Sequence, residues 1–493
     1  MKSKDKALAE LERIVGEENF SADEVDLIPY TRDSYSALMG RDIPMPDCVV
    51  LPEHAGEVQS IVAVANEYGL PLYPRSFGVN IAGAAIPYGG GIVIDLKRMN
   101  RIHEVNPETM TATIEPGVTW GALRKAARPK GLDAIAIGGP YCVGPVGNFL
   151  FTNITHYATV YSMDRAVTFE AVLPNGEIIR TGSQATRIGS ELNPYFRYAY
   201  GPDVAGLFRG SMGNYGIITK MVIRLRPIGK IEESLIYGFN DLDSALRTMQ
   251  SIERLEITRS NVVYNKDMAM HAALSPEEQR RPEERRRVLD ALPPYIMVPG
   301  IKGDERLIGI YREIMGEEVA AKNGTLLGLA PEIADPVITL AEGASNVSLR
   351  MYAPFSGFGA AIGCLPVTKV VKMTDEVIEL AEKFDVRDPL SGERQYPELV
   401  IIPYDRCSTV YVEQELLYDP ADQEETRKVF ECIREVYRVM VLKYGAVHTI
   451  PNRSFLDRVA LPSYSNLIRG IKKLVDPNGI MMAHGPYSFE QGE

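Results

Sequence analysis

The chain has 493 residues, 45% of them hydrophobic and 24% charged, with a formal net charge of −12. That length exceeds one ordinary core and predicts two domains. The acidic balance excludes a partner gripped by its phosphate backbone, which needs clustered Lys and Arg, and no uninterrupted apolar run of about 18 residues offers a membrane-spanning helix.

The opening stretch MKSKDKALAELERIVGEENF carries Lys and Glu through an amphipathic pattern where a secretory signal would be continuously apolar, so a cytoplasmic location is expected. Residues 55–69 set Val58, Ile61, Val62 and Ala65 on one helical face and end at a glycine. A short strand, LPLYP, and a second, GIVIDL, flank a bare loop, which makes an α/β unit with the helix. In HEVNPETMTATIEPG an Asn-Pro turn separates two runs that can pair. The next segment puts Trp120, Leu123 and Ala127 on one face behind Thr119 as a cap. FEAVLPNGEIIRTG reads as a hairpin turning at Asn175 and Gly176.

The bare loop belongs to PRSFGVNIAGAAIPYGGGIVIDL, residues 74–96. Small side chains leave backbone N–H groups open, and successive amides can form a concavity for an anion such as a diphosphate. The same composition also suits a tight interstrand turn. No G-x-G-x-x-G opens a helix here, which argues against a Rossmann unit. Two further small-residue runs follow, IGGPYCVGPVGNF (137–149) and GSMGNYGIITKMVIRLRP (210–227). Each alone reads as a turn, whereas three together suit an extended cofactor with a diphosphate, an adenosine and a second ring system.

Cys48, Cys142, Cys364, Cys407 and Cys432 are widely spaced without a C-x-x-C pair, and read as reduced structural thiols. The six histidines, His54, His103, His156, His271, His448 and His484, show no close H-x-H pair, so no metal site is expected. SPEEQRRPEERRRVLD (275–290) reads as a solvated helical face, with docking of an acidic electron-transfer partner as the alternative.

Taken in order, PEHAGEVQSIVAVANEYGLPLYPRSFGVNIAGAA, GNFLFTN, EAVLPNGEIIRTG, YAYGPDVAGLFRGSMGNYGIITKMVIRLRP and the terminal IKKLVDPNGIMMAHG resemble the FAD-binding domain of the vanillyl-alcohol oxidase and 4-cresol methylhydroxylase family. The resemblance covers most of residues 45–228 and the tail. PYFRYAYGPDVAGLF and the DPNGI tail resemble its phenol-oxidising branch. It implies an α+β fold: a two-subdomain FAD-binding domain of the p-cresol methylhydroxylase type (residues 1–228 plus 450–493), interrupted by an α/β cap domain (229–449) that carries the substrate pocket. The cap sequence agrees in kind, since helical patterns such as TKVVKMTDEVIELAEKF and EETRKVFECIREVYRVMVLKYG alternate with β-like runs, PELVIIPY and STVYVEQELLY.

By the same resemblance, Pro74, Arg75, Ser76, Phe77, Gly78, Val79, Asn80, Ala82 and Gly83 hold the FAD diphosphate. Gly138, Gly139, Cys142, Val143, Gly147 and Asn148 of the second run, Gly216, Ile217 and Ile218 of the third, and His484 in the tail contact the rest of the cofactor. Oxidases of this branch often attach the flavin through a His or Tyr of the cap. Matching SGFGAAIGCLPVTK to that segment puts Ala361 there, so FAD is expected to be non-covalent, with Cys364 and Cys142 as the remaining thiols for a link.

Where relatives place an aspartate beside flavin N5, this chain has Tyr161, and Val447 and His448 stand where they carry a phenolate-binding Tyr-Arg pair. A simple para-alkylphenol is therefore disfavoured, because its phenolate would be buried without a partner. The expected reaction is FAD-dependent dehydrogenation of an alcohol, or of a benzylic or allylic C–H of a small organic substrate, aromatic ones included, by hydride transfer to N5. His448 is the candidate for removing a hydroxyl proton, with Tyr161, Tyr157 and His156 in the segment facing the flavin, and each of these also reads as an ordinary structural residue. Two alternatives stand: a 2-hydroxy-acid dehydrogenase subunit, with Arg350 or Arg453 binding the carboxylate, and a flavin-binding partner subunit that has lost its chemistry. Electrons leave to oxygen or to a separate acceptor protein, and dimerisation through the cap is implied by the resemblance alone.

Overall fold

The computed structural model describes residues 4–33, 45–79, 83–134, 139–151, 165–188, 194–199, 201–343, 345–354, 357–447, 453–485 and 488–490. The helix expected over 55–69 forms at Ala55–Tyr68, with Val58, Ile61, Val62 and Ala65 buried and Gly69 closing it at φ 68°. It packs on a four-stranded sheet ordered Phe20–Ser21, Cys48–Val50, Ile92–Asp95, Leu72–Arg75. The strands Cys48–Val50 and Leu72–Arg75 both run parallel to Ile92–Asp95. Their carboxyl ends therefore share one edge, and the small-residue loop leaves Arg75 from that edge.

A second, antiparallel sheet is ordered Ile102–Asn106, Thr111–Ile114, Ile217–Pro227, Ala166–Val172, Ile178–Arg180, with Leu132–Ala134 on the far end of the long third strand. Both expected hairpins are present. The Asn106 side chain accepts the amides of Glu108 and Thr109 at 2.9 and 3.1 Å, and Gly176 turns the second hairpin at φ 85°. Thr119 caps the Trp120–Ala127 helix, whose Trp120, Leu123 and Ala127 are fully buried. Trp120 Nε1 donates to Asn148 Oδ1 at 2.7 Å and so fixes the short helix Pro145–Phe151.

The last helix, Pro462–Val475, and the tail behind it return to this half of the molecule. Leu72 N donates to Ile480 O at 2.7 Å and Met482 N to Leu72 O at 3.0 Å, so the tail pairs beside the first sheet. Lys472 is buried in the return; its Nζ donates to Asn214 O and Met481 O at 3.1 and 2.8 Å and pairs with Asp476. Burial pulls the Lys472 pKa down, and the Asp476 carboxylate opposes that shift.

Residues 237–418 build the third large sheet, seven antiparallel strands ordered Thr325–Leu326, Tyr237–Phe239, Tyr295–Met297, Val263–Asn265, Glu398–Tyr404, Thr409–Tyr418, Gly357–Pro366. The two long helices expected from the sequence form at Val370–Phe384 and Gln423–Arg438. They cover one face, where Ile401, Val412 and Leu416 meet Met373, Val377, Val429 and Val436. The opposite face carries Tyr264, Ile362, Val400, Ile402 and Tyr411 and packs against Ile86, Tyr88 and Met212 of the N-terminal half. In the Arg-rich helix Pro282–Ala291, Arg287 pairs with Glu284 on the surface, but Arg285 differs from the solvated reading: it grips Asp388 with two hydrogen bonds of 3.1 and 2.8 Å. No helix among the described residues is long and apolar enough to cross a membrane.

Candidate active site

The face of the seven-stranded sheet opposite the two long helices and the loops of the first two sheets enclose a cavity of about 570 Å³. Of the residues expected from the sequence, Pro74, Arg75, Ser76, Phe77, Gly78, Val79, Gly139, Val143, Gly147, Asn148, Ile217 and Ile218 line it. Three loops distant in sequence are thus brought to one wall.

Several expected residues lie elsewhere. Cys142 is exposed and does not line the cavity. Gly216 backs onto the sheet, where an added Cβ would come within 2.7 Å of the Val172 carbonyl, while its neighbours Ile217 and Ile218 face inward. The Gly83 amide donates to Asp33 Oδ2 at 2.7 Å, and it is Asp33 that reaches the cavity. His484 is exposed and its ring lies against Gly89, away from the lining. Asn80, Ala82, Gly138, His156, Tyr157, Tyr161 and His448 fall outside the described residues.

The loop wall has the features a dinucleotide needs. The backbone amides of Phe77, Gly78 and Val79 have no acceptor among the described residues. Arg75 adds a cation on the same wall; it lies 4.8 Å from the centroid of the Tyr30 ring, and burial lowers its pKa. Open amides beside a guanidinium suit a diphosphate. The loops also approach each other closely, because a Cβ at Gly147 would stand 3.0 Å from Ser76 Oγ and one at Gly144 would stand 3.0 Å from the Phe77 ring. These residues fit FAD.

The facing wall is built of strand side chains. Strand alternation sends every second residue to the cavity face, and the register places Glu398 opposite Glu415, Val400 opposite Glu413 and Ile402 opposite Tyr411, with Tyr264 beside Val400. Tyr264, Val400, Ile402, Glu413 and Glu415 line the cavity together with Met268, Tyr352 and Phe358. Tyr352 and Phe358 stack with ring centroids 4.2 Å apart.

The acidic groups on this wall form one connected cluster. Tyr411 donates to Glu413 Oε2 at 2.9 Å, the Tyr352 hydroxyl donates to Glu415, and the two carboxyls hydrogen-bond to each other. Burial pushes both carboxyl pKa values up, and for Glu415 the nearby charges of Glu413 and Glu398 add to the effect. Glu398 is itself held by His271 Nδ1. Tyr264 is 1% exposed, and its hydroxyl has no hydrogen-bond partner among the described residues.

Sequence reading missed this cluster. Its one visible signal was the run Glu413, Gln414, Glu415 inside an otherwise apolar strand, where all three residues are buried. Ala361 faces the helix-covered core, so a linking side chain at that position would point away from the cavity. Ala360 and Cys364 lie on the cavity side of the same strand, and burial pushes the Cys364 thiol up to about 12. Arg350 is committed to the Ala272 carbonyl at 2.8 Å and does not line the cavity. Arg453 begins the helix Arg453–Arg458, and its side chain is outside the described set.

Comparison with known proteins agrees with this geometry. Residues 46–182 match a family of FAD binding domains. The chain is 24% identical over 510 residues to the 4-cresol dehydrogenase [hydroxylating] flavoprotein subunit of Pseudomonas putida, covering 97% of this chain and 94% of that protein. It is 29% identical over 246 residues to the glycolate oxidase subunit GlcD of Bacillus subtilis, a match that spans only about half of each protein, 49% of both. The fold superimposes on the 4-ethylphenol oxidase of Gulosibacter chungangensis with a TM-score of 0.83 at 21% identity, covering 99% of this chain and 97% of that one. Residues 46–182 are therefore an FAD-binding domain, the chain has the p-cresol methylhydroxylase fold, and it is an FAD-dependent oxidoreductase with FAD as its cofactor.

Proposed function

We propose that this enzyme dehydrogenates a small, largely apolar organic substrate lying between the loop wall and the Glu413 wall, at a hydroxyl-bearing carbon or a benzylic or allylic C–H. The observation that carries this reading is that open loop amides and the apolar strand face bound one cavity. Bound FAD supplies the oxidant, accepting a hydride, two electrons with one hydrogen, from the substrate carbon. An alcohol that loses a hydride and its hydroxyl proton becomes a carbonyl, so the protein must supply a proton acceptor.

The chain's own residues have separable tasks in this reading. Arg75 and the Phe77–Val79 amides hold the diphosphate, and Asn148, fixed by Trp120, presents an amide side chain to the cofactor. Met268, Phe358, Val400 and Ile402 hold the apolar body of the substrate and exclude water. Attachment of FAD is non-covalent, because Ala361 has no reactive atom and faces away. Residues 1–228 with 450–493 act as the FAD-binding domain and 229–449 as the cap, with pairing of two copies through the cap part of the same proposal.

A 2-hydroxy acid suits this wall poorly. Its described side chains include Glu413 and Glu415 and no Lys or Arg. Electrons pass on to oxygen or to a separate acceptor protein, as the name flavoprotein subunit of the Pseudomonas putida relative suggests.

Anaerobic mixing tests the reading. The flavin absorbance is expected to bleach with neutral alcohols or alkyl-substituted aromatics, and failure to bleach with either class overturns it. Acid precipitation should leave the yellow colour in the supernatant; colour in the pellet overturns the non-covalent assignment.

A further inference from the structure

Resting on the alcohol branch of that reading, we propose that Glu413, paired with Glu415, accepts the hydroxyl proton of an uncharged alcohol, and that the same pair turns away hydroxy acids. The geometry begins with placement. Glu413 and Glu415 are two residues apart on one strand, so both reach the same face, and both line the cavity. Carboxyls in mutual hydrogen-bond contact in an apolar site cannot both ionise, so the pair holds at least one proton, and its active form in this proposal is the one with a single shared proton.

The neighbours decide which carboxyl keeps it. Glu415 sits opposite Glu398 and under the Tyr352 hydroxyl, so it faces one carboxyl on its own strand and another on the next. Glu413 has Val400 and Ile362 as its cross-strand neighbours and receives the Tyr411 hydroxyl at 2.9 Å, which favours its charged form. Glu415 is thus the protonated member and donates to Glu413, leaving Glu413 as a carboxylate facing the cavity. The other titratable groups around the pair are Tyr264, Tyr352 and Tyr411, then Glu398 with His271, and Asp267 from the helix above.

An acidic pair alone would not make a site. The second observation is Tyr264, a buried side chain that lines the same cavity, feels the charges of Glu413 and Glu415, and has a hydroxyl unpartnered among the described residues. An unmet hydroxyl in a protein interior is costly unless something binds it. Tyr264 lies one strand beyond Val400, so the wall offers a polar point at each side of an apolar floor. An uncharged molecule with a hydroxyl at the Glu413 side and a second polar atom near Tyr264 satisfies both. A carboxylate would instead be brought against a negative pair in a low-dielectric pocket.

In this scheme the substrate O–H bond breaks, its electron pair stays on oxygen to form the carbonyl as the hydride leaves the carbon, and the proton moves to Glu413. Glu415 does not touch the substrate; it is a positioning residue that sets the protonation of its partner.

The test compares the FAD-loaded wild type with Glu413→Gln and Glu415→Gln. A wild type that bleaches with no alcohol removes the alcohol branch of the underlying reading, and the proposal with it, before the pair is examined. If neutral alcohols do bleach it, Glu413→Gln is expected to bind FAD normally and to bleach at least about 10²-fold more slowly; an unchanged rate overturns the proposal. Glu415→Gln replaces the acid O–H by a weaker amide donor and should shift the acid limb of the rate-against-pH profile to higher pH, because Glu413 loses part of the hydrogen bond that favours its carboxylate, and an unmoved limb overturns the pairing. Infrared difference spectra of the protein without substrate give a readout independent of turnover. A carboxylic-acid C=O band at neutral pH should vanish in Glu415→Gln, and its persistence counts against the assignment. Bleaching of the wild type by hydroxy acids but not by uncharged alcohols overturns the stated substrate class.

Discussion

The loop wall brings to the cavity the open amides of Phe77, Gly78 and Val79 and the bare Gly139, Gly144 and Gly147, whereas the strand wall brings the larger residues Tyr264, Val400, Ile402, Glu413 and Glu415. One wall works through atoms that are missing and the other through atoms that are present. Main-chain amides cannot be altered by substitution, only covered or displaced, so changes on the loop wall should act on cofactor affinity. Side chains on the strand wall can be exchanged one at a time, so changes there should act on rate and on the choice of substrate.

The largest effect should come from the buried pair that anchors the loop wall. Lys472 ties the C-terminal return to Asn214, next to the cavity residues Met212 and Gly213. Lys472→Met strands the buried Asp476 carboxylate and should lower stability by about 3–5 kcal/mol in urea unfolding, with weaker FAD retention. Retained stability and colour would show that the loop wall is fixed by something else.

Away from the cavity, Glu253 of the helix Leu242–Arg254 is buried, receives hydrogen bonds from Thr258 and Asn261, and stands ahead of the strand that carries Tyr264. Burial pushes its pKa up from 4.5 to about 7. The folded chain therefore holds this proton where the unfolded chain has released it, so the contribution is complete below pH 4.5 and is lost as pH rises through about 7. The swing is at most about 3 kcal/mol. Glu253→Gln should flatten the pH dependence of the unfolding midpoint over that window, and an unchanged slope would assign the dependence to other groups.

A smaller effect is expected at Gly213, where φ is 82° and an added Cβ would stand 2.9 Å from Pro74 Cγ. Gly213→Val should weaken FAD binding about ten- to hundredfold in a fluorescence titration, from about 1–3 kcal/mol of strain. Gly131 has a similar φ of 73° with open space around it. Gly131→Ala should cost about 1 kcal/mol of stability and leave FAD affinity alone; equal losses of affinity at both sites would show that the Gly213 effect does not arise at the loop wall. The smallest effect is at Tyr264. Tyr264→Phe should leave stability within about 1 kcal/mol and raise KM for a neutral alcohol a few-fold. An unchanged KM would remove Tyr264 from substrate binding.

The same contrast explains what could be read from the chain. Runs of Gly, Ala and Ser at 74–91, 137–149 and 210–216 leave a compositional trace, and the structure brings these loops to one wall. The helix ending at Gly69, the Thr119 cap and the Asn175–Gly176 turn depend on local rules and formed where expected. The acid pair left almost no trace. In TVYVEQELLY the sequence shows a strand, but which side of it faces a cavity depends on pairing with Glu398–Tyr404 and Gly357–Pro366, which are separated from it by loops and a helix. Register across strands is a tertiary property, so Glu413 and Glu415 read from sequence as incidental polar residues in a core strand. Cys142 and His484 are exposed and lie outside the cavity lining for the related reason that a residue next to a binding loop can point out of it.

The tail that pairs with Leu72 has a consequence for how the molecule is assembled. The Tyr73 hydroxyl bonds the Ala483 carbonyl across 410 positions of chain. During synthesis the first sheet must wait with that edge unfinished until residues 480–483 leave the ribosome, by which time the entire intervening segment has had the chance to fold. Flavin capture should then be a late event that follows the emergence of residues 480–483, and chains that stop short of Met481 should emerge colourless even when the middle of the protein is sound.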